Sequence, residues 1–283
     1  MKPIIELEEW LLLSSETDAI LIDARGGAGA EEKYRQGHLP GAVFVDVETQ
    51  LSDKRASPAE GGRHPLPDPR RFIELLAQLG ISQRREVVVY DDKLGANAAC
   101  RFWWMLQGLG HNRVRVLDGG LTYAVAQGME LQTGWVSPVP VSPDEEYDRE
   151  GGWNGRTIGL SGLVEDLQGS RCLLVDVREA YRYRGESEPI DSVAGHIPSA
   201  INIPYLQNLL GDGRFAPASD LRKQYLPILE GLAGRELVFH CGSGVSACHT
   251  LLALQLADLP SGRLYVGSWS EWSRNDLPIA TDC

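Results

Sequence analysis

The chain has 283 residues, 43% of them hydrophobic, with a formal net charge of −12 at pH 7. That length predicts two domains of ordinary size, no apolar run approaches the ~20 residues of a membrane span, and so acidic a chain argues against nucleic-acid or anionic-membrane partners. Cys100, Cys172, Cys241, Cys248 and Cys283 are odd in number and lack Cys-x-x-Cys spacing, which argues against a disulfide framework or a zinc site; no metal or cofactor is expected.

The opening segment, Met-Lys-Pro-Ile-Ile-Glu-Leu-Glu-Glu-Trp, carries acidic residues where a signal peptide needs an apolar core, so a cytoplasmic protein is expected. Leu21-Ile-Asp23-Ala-Arg25 reads as a short strand, and Gly37-His38-Leu-Pro40 as the turn after the next element. Residues 52–69 are irregular and contain Gly61-Gly62-Arg63-His64-Pro65, a length that suggests a functional loop. The strand Val87-Val-Val-Tyr90 ends at Asp91 and precedes a helix through Trp103, Trp104 and Leu106, followed by Val116-Leu-Asp-Gly119. Gly134–Gly155 is rich in proline, glycine and acidic residues and reads as a linker.

The same parts then recur in the same order. Leu174-Val-Asp176-Val-Arg178, Gly195-His196-Ile-Pro198, Leu237-Val-Phe-His-Cys241 and Tyr265-Val-Gly267-Ser-Trp answer the four earlier segments. The reading is therefore an α/β protein made of a tandem repeat, each half a mostly parallel sheet flanked by helices. Its parts are residues 1–133, a linker at 134–155, and residues 156–283. The paired Asp and Arg residues are expected to form scaffold ion pairs, and His38 and His196 to bond to backbone. Trp269 and Trp272 are expected at the rim of the active site.

Chemistry concentrates at Cys241-Gly-Ser-Gly-Val-Ser246, a glycine-rich loop between a strand and a helix predicted from about Val245 to Ala257. A cysteine there faces unpaired N–H groups and the positive end of a helix dipole, which lowers a thiol pKa and makes a thiolate nucleophile. Gly242 and Gly244 let the backbone curl around one sulfur or anion. The matching position in the first half is Asp91, which repels an anion, so only the second half is read as catalytic. Cysteine phosphatases need an arginine six residues after the nucleophile; Ala247 stands there and argues against that class. Cys248 reads as a buried helix residue.

These motifs resemble the two-domain rhodanese-type sulfurtransferases: the doubled Asp-x-Arg and Gly-His-Ile/Leu-Pro segments, the Cys241 loop, and Gly267-Ser-Trp-Ser-Glu-Trp272. The resemblance implies tandem rhodanese-like domains, a persulfide on Cys241, a small anionic sulfur donor, and a thiol or cyanide acceptor. The uncharged loop is similar to the 3-mercaptopyruvate type; thiosulfate as donor and a persulfide-carrier role for a protein partner are the alternatives. It implies that Ser243, His64 and Glu48 move protons, with Asp46 able to substitute for Glu48. Arg182 and Arg184 are similar to the arginines that hold a donor carboxylate, Arg182 pointing to the donor and Arg184 away if the segment is extended. Gly242, Gly244, Val245 and Ser246 would line the anion site. Where such enzymes often carry a second arginine, this chain has Glu188-Pro-Ile190-Asp191. The sequence sets no oligomeric state.

Overall fold

A computed structural model describes residues 1–96, 98–143, 147 and 152–282. Asn97, Cys283 and, within the expected linker, residues 144–146 and 148–151 lie outside the described residues. The chain divides into two compact units: residues 1–53, 67–154 and 210–215 form the first, and residues 54–66, 155–209 and 216–283 the second. Each half of the sequence thus lends a short segment to the other half's unit.

In the first unit the strands are β1 (Ile4–Ile5), β2 (Ile20–Arg25), β3 (Val43–Asp46), β4 (Val87–Tyr90) and β5 (Val114–Leu117), hydrogen-bonded in the order β1-β5-β4-β2-β3. The helices are α1 (Leu7–Glu16), α2 (Ala30–Gln36), α3 (Pro69–Gln78), α4 (Ala99–Gly108) and α5 (Gly120–Ala126). The second unit repeats the plan. Its strands β6 (Thr157–Ile158), β7 (Cys172–Asp176), β8 (Ile201–Asn202), β9 (Glu236–His240) and β10 (Arg263–Tyr265) run in the order β6-β10-β9-β7-β8. Its helices are α6 (Leu160–Gln168), α7 (Ala180–Tyr183), α8 (Ala218–Glu230), α9 (Ala247–Leu256) and α10 (Ser268–Trp272). All strand pairings are parallel, as expected where both faces of a sheet are covered. No helix among the described residues is long and apolar enough to cross a membrane.

The central strands are continuous apolar runs because they are buried on both faces: Val87, Val88 and Val89 in β4, and Val238 and Phe239 in β9, are 0–1% exposed. Buried ion pairs brace both halves. Arg25 grips Asp23 through Nε and Nη2, both at 2.6 Å, and donates to the Gly37 carbonyl at 2.8 Å. Arg178 holds Asp176 at 2.6 Å and the Gly195 carbonyl at 2.7 Å in the same way. The histidine after each of those glycines bonds to backbone. His38 Nδ1 lies 2.9 Å from the Tyr34 carbonyl and His196 Nδ1 2.8 Å from that of Tyr183, each ring stacked on that tyrosine. The tryptophans expected at the rim belong to the core instead. The buried Trp269 donates its indole N–H to the Val193 carbonyl at 2.9 Å, and the Arg178 guanidinium covers its face.

Residues 210–215 reach the first unit through Asp118, whose carboxylate accepts the Phe215 N–H at 2.8 Å. Burial pushes the Asp118 carboxyl up to about 6; the Phe215 N–H opposes this, while the charges of Glu6 and Asp212 add to it. A carboxyl raised in the folded state contributes stability below its unfolded pKa and loses it as pH rises through the folded value. Asp118→Asn should therefore be more stable than the wild type above pH ~6, by up to ~3 kcal/mol, and equal to it below pH ~4. Denaturant unfolding of both proteins across that range checks this; parallel curves would refute it.

Candidate active site

Strand β9 delivers the chain to Cys241, and α9 carries it away after Ser246. The loop between them is buried, with Cys241 1% and Ser243 6% exposed. Its outer face is tied to α10: the N–H groups of Trp269 and Ser270 donate to the Cys241 and Gly242 carbonyls at 3.1 and 2.9 Å. The Cys241 N–H donates to Ser268 Oγ at 3.2 Å. Among the described residues, the N–H groups of Gly242, Ser243, Val245 and Ser246 donate to no backbone carbonyl. Together with the α9 N-terminus they make an electropositive concavity beside the sulfur. Gly244 closes the turn at φ +72°, where a Cβ would stand 2.5 Å from the Val266 carbonyl oxygen, so no side chain fits. Cys248 Sγ bonds to the Gly244 carbonyl at 3.6 Å inside the first turn of α9.

The first unit carries the same frame with a different filling. Leu121 N–H donates to the Asp91 carbonyl at 3.1 Å, as Trp269 does to Cys241, and Gly120 at φ +56° answers Ser268 at φ +55°. The Asp91 carboxylate itself occupies the nest. It accepts the N–H groups of Lys93 and Gly95, both at 2.8 Å, and of Ala98 and Ala99 at 3.0 and 3.1 Å. Burial raises this carboxyl above its ordinary value against the pull of those donors.

The irregular segment 54–66 packs within the second unit. The Gly61 N–H donates to Glu271 Oε1 at 2.7 Å and the Arg63 N–H to Ser270 Oγ at 3.0 Å. Asn275 Nδ2 donates to the Ala59 carbonyl at 3.1 Å. Gly62 allows this approach at φ +80°: a Cβ there would lie 2.3 Å from the Gly267 carbonyl oxygen. The segment brings the buried His64 to the loop, with Nδ1 2.7 Å from Ser243 Oγ. The tautomer of His64 sets which atom donates.

Arginines flank the loop. A methyl group on Gly242 would lie 3.0 Å from Arg63 Nη2 and 3.3 Å from Arg182 Nη2. Arg182 lies in the single helical turn α7 rather than in an extended segment, and its buried guanidinium holds Glu188 Oε1 at 2.8 Å. Burial opposes ionisation of Glu188, but Arg182 and the N–H groups of Asp191 and Ile190 outweigh it and keep the carboxyl below its usual range. Arg184 turns outward, 44% exposed, onto Glu186 at 2.6 Å. Glu48 is half-buried after β3 in the first unit. Beside it the Asp46 carboxylate accepts the Glu48 N–H at 2.8 Å and the Thr49 hydroxyl at 3.2 Å.

The loop residues, His64 and Arg182 thus come together in one unit. Sequence reasoning missed Arg63, Asp191 and Glu271; the signal for Arg63 was a basic residue next to a candidate histidine in a long irregular loop.

The model of the rhodanese-like domain matches residues 7–126 and 161–275. A probable 3-mercaptopyruvate sulfurtransferase of Pseudomonas aeruginosa is 42% identical over 275 residues, covering 94% of each chain. A putative thiosulfate sulfurtransferase of Mycobacterium tuberculosis is 41% identical over 244 residues, 85% of this chain and 81% of the other. Among solved structures, the 3-mercaptopyruvate sulfurtransferase of Leishmania major superposes with a TM-score of 0.80 at 28% identity, over 96% of this chain and 75% of that one.

Gly62→Ala should displace the segment that carries His64. The left-handed φ and the clash with a backbone carbonyl predict a loss of about 2 kcal/mol in stability. Turnover should fall at least about tenfold at temperatures where the variant is still folded. Full activity of the folded variant would show that the seating of this segment is dispensable.

Proposed function

The chain belongs to the rhodanese family of sulfurtransferases, and from that premise we propose that it moves a sulfane sulfur from 3-mercaptopyruvate to a thiol or cyanide through a persulfide on Cys241. The observation that carries this reading is the 2.7 Å contact between His64 and Ser243, two residues from a buried cysteine in a loop with uncommitted N–H groups.

In the first step the Cys241 thiolate attacks the donor sulfur. The carbon–sulfur bond breaks, its electron pair leaves on carbon as the enolate of pyruvate, and Cys241 is left as Cys–S–SH. The enolate needs a proton at carbon, which the Ser243–His64 pair supplies. In the second step the acceptor attacks the outer sulfur and restores the thiolate. Arg182 holds the donor carboxylate from its place against Gly242. Gly242, Gly244, Val245 and Ser246 shape the nest that receives the anion. Glu48 is the acidic partner in this reading, favoured over Asp46 because the Asp46 carboxylate caps its own turn. The exposed Arg184 is a weaker candidate for the donor. Residues 156–283, with segment 54–66 packed among them, form the catalytic domain, and the rest of residues 1–133 a non-catalytic one, since Asp91 fills the matching nest. A thiolate nucleophile, with Cys100, Cys172, Cys241 and Cys248 outside any disulfide, suits a reducing compartment, hence the cytoplasm.

Thiosulfate is the second reading, favoured by the two guanidinium groups beside Gly242. Here the thiolate takes the outer sulfur and sulfite leaves with the bonding pair, so no proton is required.

Cys241→Ser should lose sulfur transfer from every donor with an unchanged thermal midpoint, and only the wild type should gain the mass of one sulfur atom when incubated with donor. Substantial turnover by the serine variant would overturn the persulfide. Ser243→Ala should lower kcat with 3-mercaptopyruvate by roughly 10- to 100-fold and leave kcat with thiosulfate nearly unchanged, because only the first reaction protonates carbon. Equal losses on both donors would remove Ser243 from proton transfer.

A further inference from the structure

His240 is the last residue of β9, fully buried and directly before Cys241. Its Nδ1 lies 3.1 Å from the Cys241 carbonyl oxygen, which also accepts the Trp269 N–H at 3.1 Å. A carbonyl oxygen only accepts, so this bond puts the ring proton on Nδ1. Nε2 has no hydrogen-bond partner among the described residues. It stops 3.7 Å from Asp176 Oδ2 on β7, too far for a hydrogen bond, and Arg178 grips that same oxygen at 2.6 Å. On the β10 side the Tyr265 ring stands 6.4 Å away between centroids. Burial, helped by the charges of Arg178 and His196, outweighs Asp176 and holds the pKa of His240 below its ordinary value. The imidazole is therefore neutral, with one donor spent on the cysteine carbonyl and one acceptor unpaired. A buried acceptor without a partner is destabilising, and the first unit avoids it. There Tyr90, at the matching position, accepts the Leu39 N–H at 2.9 Å and donates to Asp23 at 2.6 Å.

We propose that His240 is a positioning residue whose Nδ1–H holds the Cys241–Gly242 peptide with its carbonyl turned away from the nest and the Gly242 N–H turned toward the sulfur. This rests on the reading of Cys241 as the nucleophile. In a trans peptide the C=O and N–H point in opposite directions, so fixing one aims the other. The Trp269 N–H and the His240 Nδ1–H together occupy both lone pairs of the Cys241 oxygen. The Gly242 N–H donates to no backbone carbonyl and is open to a sulfur anion. Glycine at position 242 resists rotation of that peptide less than any other residue would, so its orientation has to be imposed from the carbonyl side.

A peptide free to rotate would at times aim its carbonyl oxygen where the N–H now points, which disfavours negative charge on sulfur. The loss should fall on kcat, since the donor's carboxylate is bound elsewhere. His240→Leu should lower kcat for sulfur transfer roughly tenfold, with KM changed less than about twofold. His240→Asn, whose amide N–H can stand near the place of Nδ1, should recover kcat to within about threefold of the wild type. Equal losses in the two variants, or no loss in either, would overturn the proposal. The wild type tests it without any substitution. In nitrogen NMR spectra at neutral pH, the His240 ring should show a proton on Nδ1 and a bare Nε2. A proton on Nε2 alone, or on both nitrogens, would overturn the proposal. If Cys241 of the wild type gains no sulfur from either donor while His240 is found in the Nδ1–H form, the persulfide reading fails and the hydrogen bond stands.

Discussion

The second unit's site depends on how a stretch of first-half sequence is held, and two backbone N–H groups do most of that holding. Gly61 donates to Glu271 and Arg63 to Ser270, both acceptors lying on the helix whose N–H groups also tie the cysteine loop. One short helix therefore fixes the loop on one side and residues 59–64 on the other. A neutral hydrogen bond contributes about 1 kcal/mol net, and one to a carboxylate somewhat more. That is small against the entropy of ordering a segment so far along the chain, so close packing at Gly62 has to add to it. His64 and Arg63 reach Ser243 and Gly242 only after most of the fold exists.

The two units also show which features of the repeat are structural and which are chemical. The Asp-Arg pair, the stacked histidine and the left-handed turn after the last strand occur in both, and in both they organise backbone. The differences cluster at the end of the central strand. In the first unit Tyr90 donates to Asp23 Oδ2 at 2.6 Å. In the second, His240 stands in its place with Nε2 3.7 Å from Asp176 Oδ2, and burial lowers its pKa.

The repeat, the parallel sheets and the reactive loop were legible because each is written in local pattern. Val87-Val-Val-Tyr90 and Leu237-Val-Phe-His240 are buried strands by their apolar run alone, and Gly244 announces a turn that no side chain could make. The segment Tyr181-Arg-Tyr-Arg184 was less legible. Its strict alternation fits an extended strand, yet the ion pairs of Arg182 with Glu188 and Asp191 accompany a helical turn, a tertiary override of a four-residue pattern. Arg63 was illegible for a related reason. Its neighbour His64 was singled out through family resemblance, whereas the direction of the Arg63 side chain follows from Ser270 and Asp191, more than a hundred residues downstream.

The carboxylate of Asp91 gives the duplicated architecture an uneven accounting of sulfur. Its oxygens accept the N–H groups of Lys93, Gly95, Ala98 and Ala99, so the first nest is filled by its own carboxyl group and has no vacancy for an exchangeable anion. A molecule with two copies of the fold would then load a single sulfur equivalent per chain. The half-of-sites stoichiometry would be built into the covalent structure rather than arising from cooperativity between the copies.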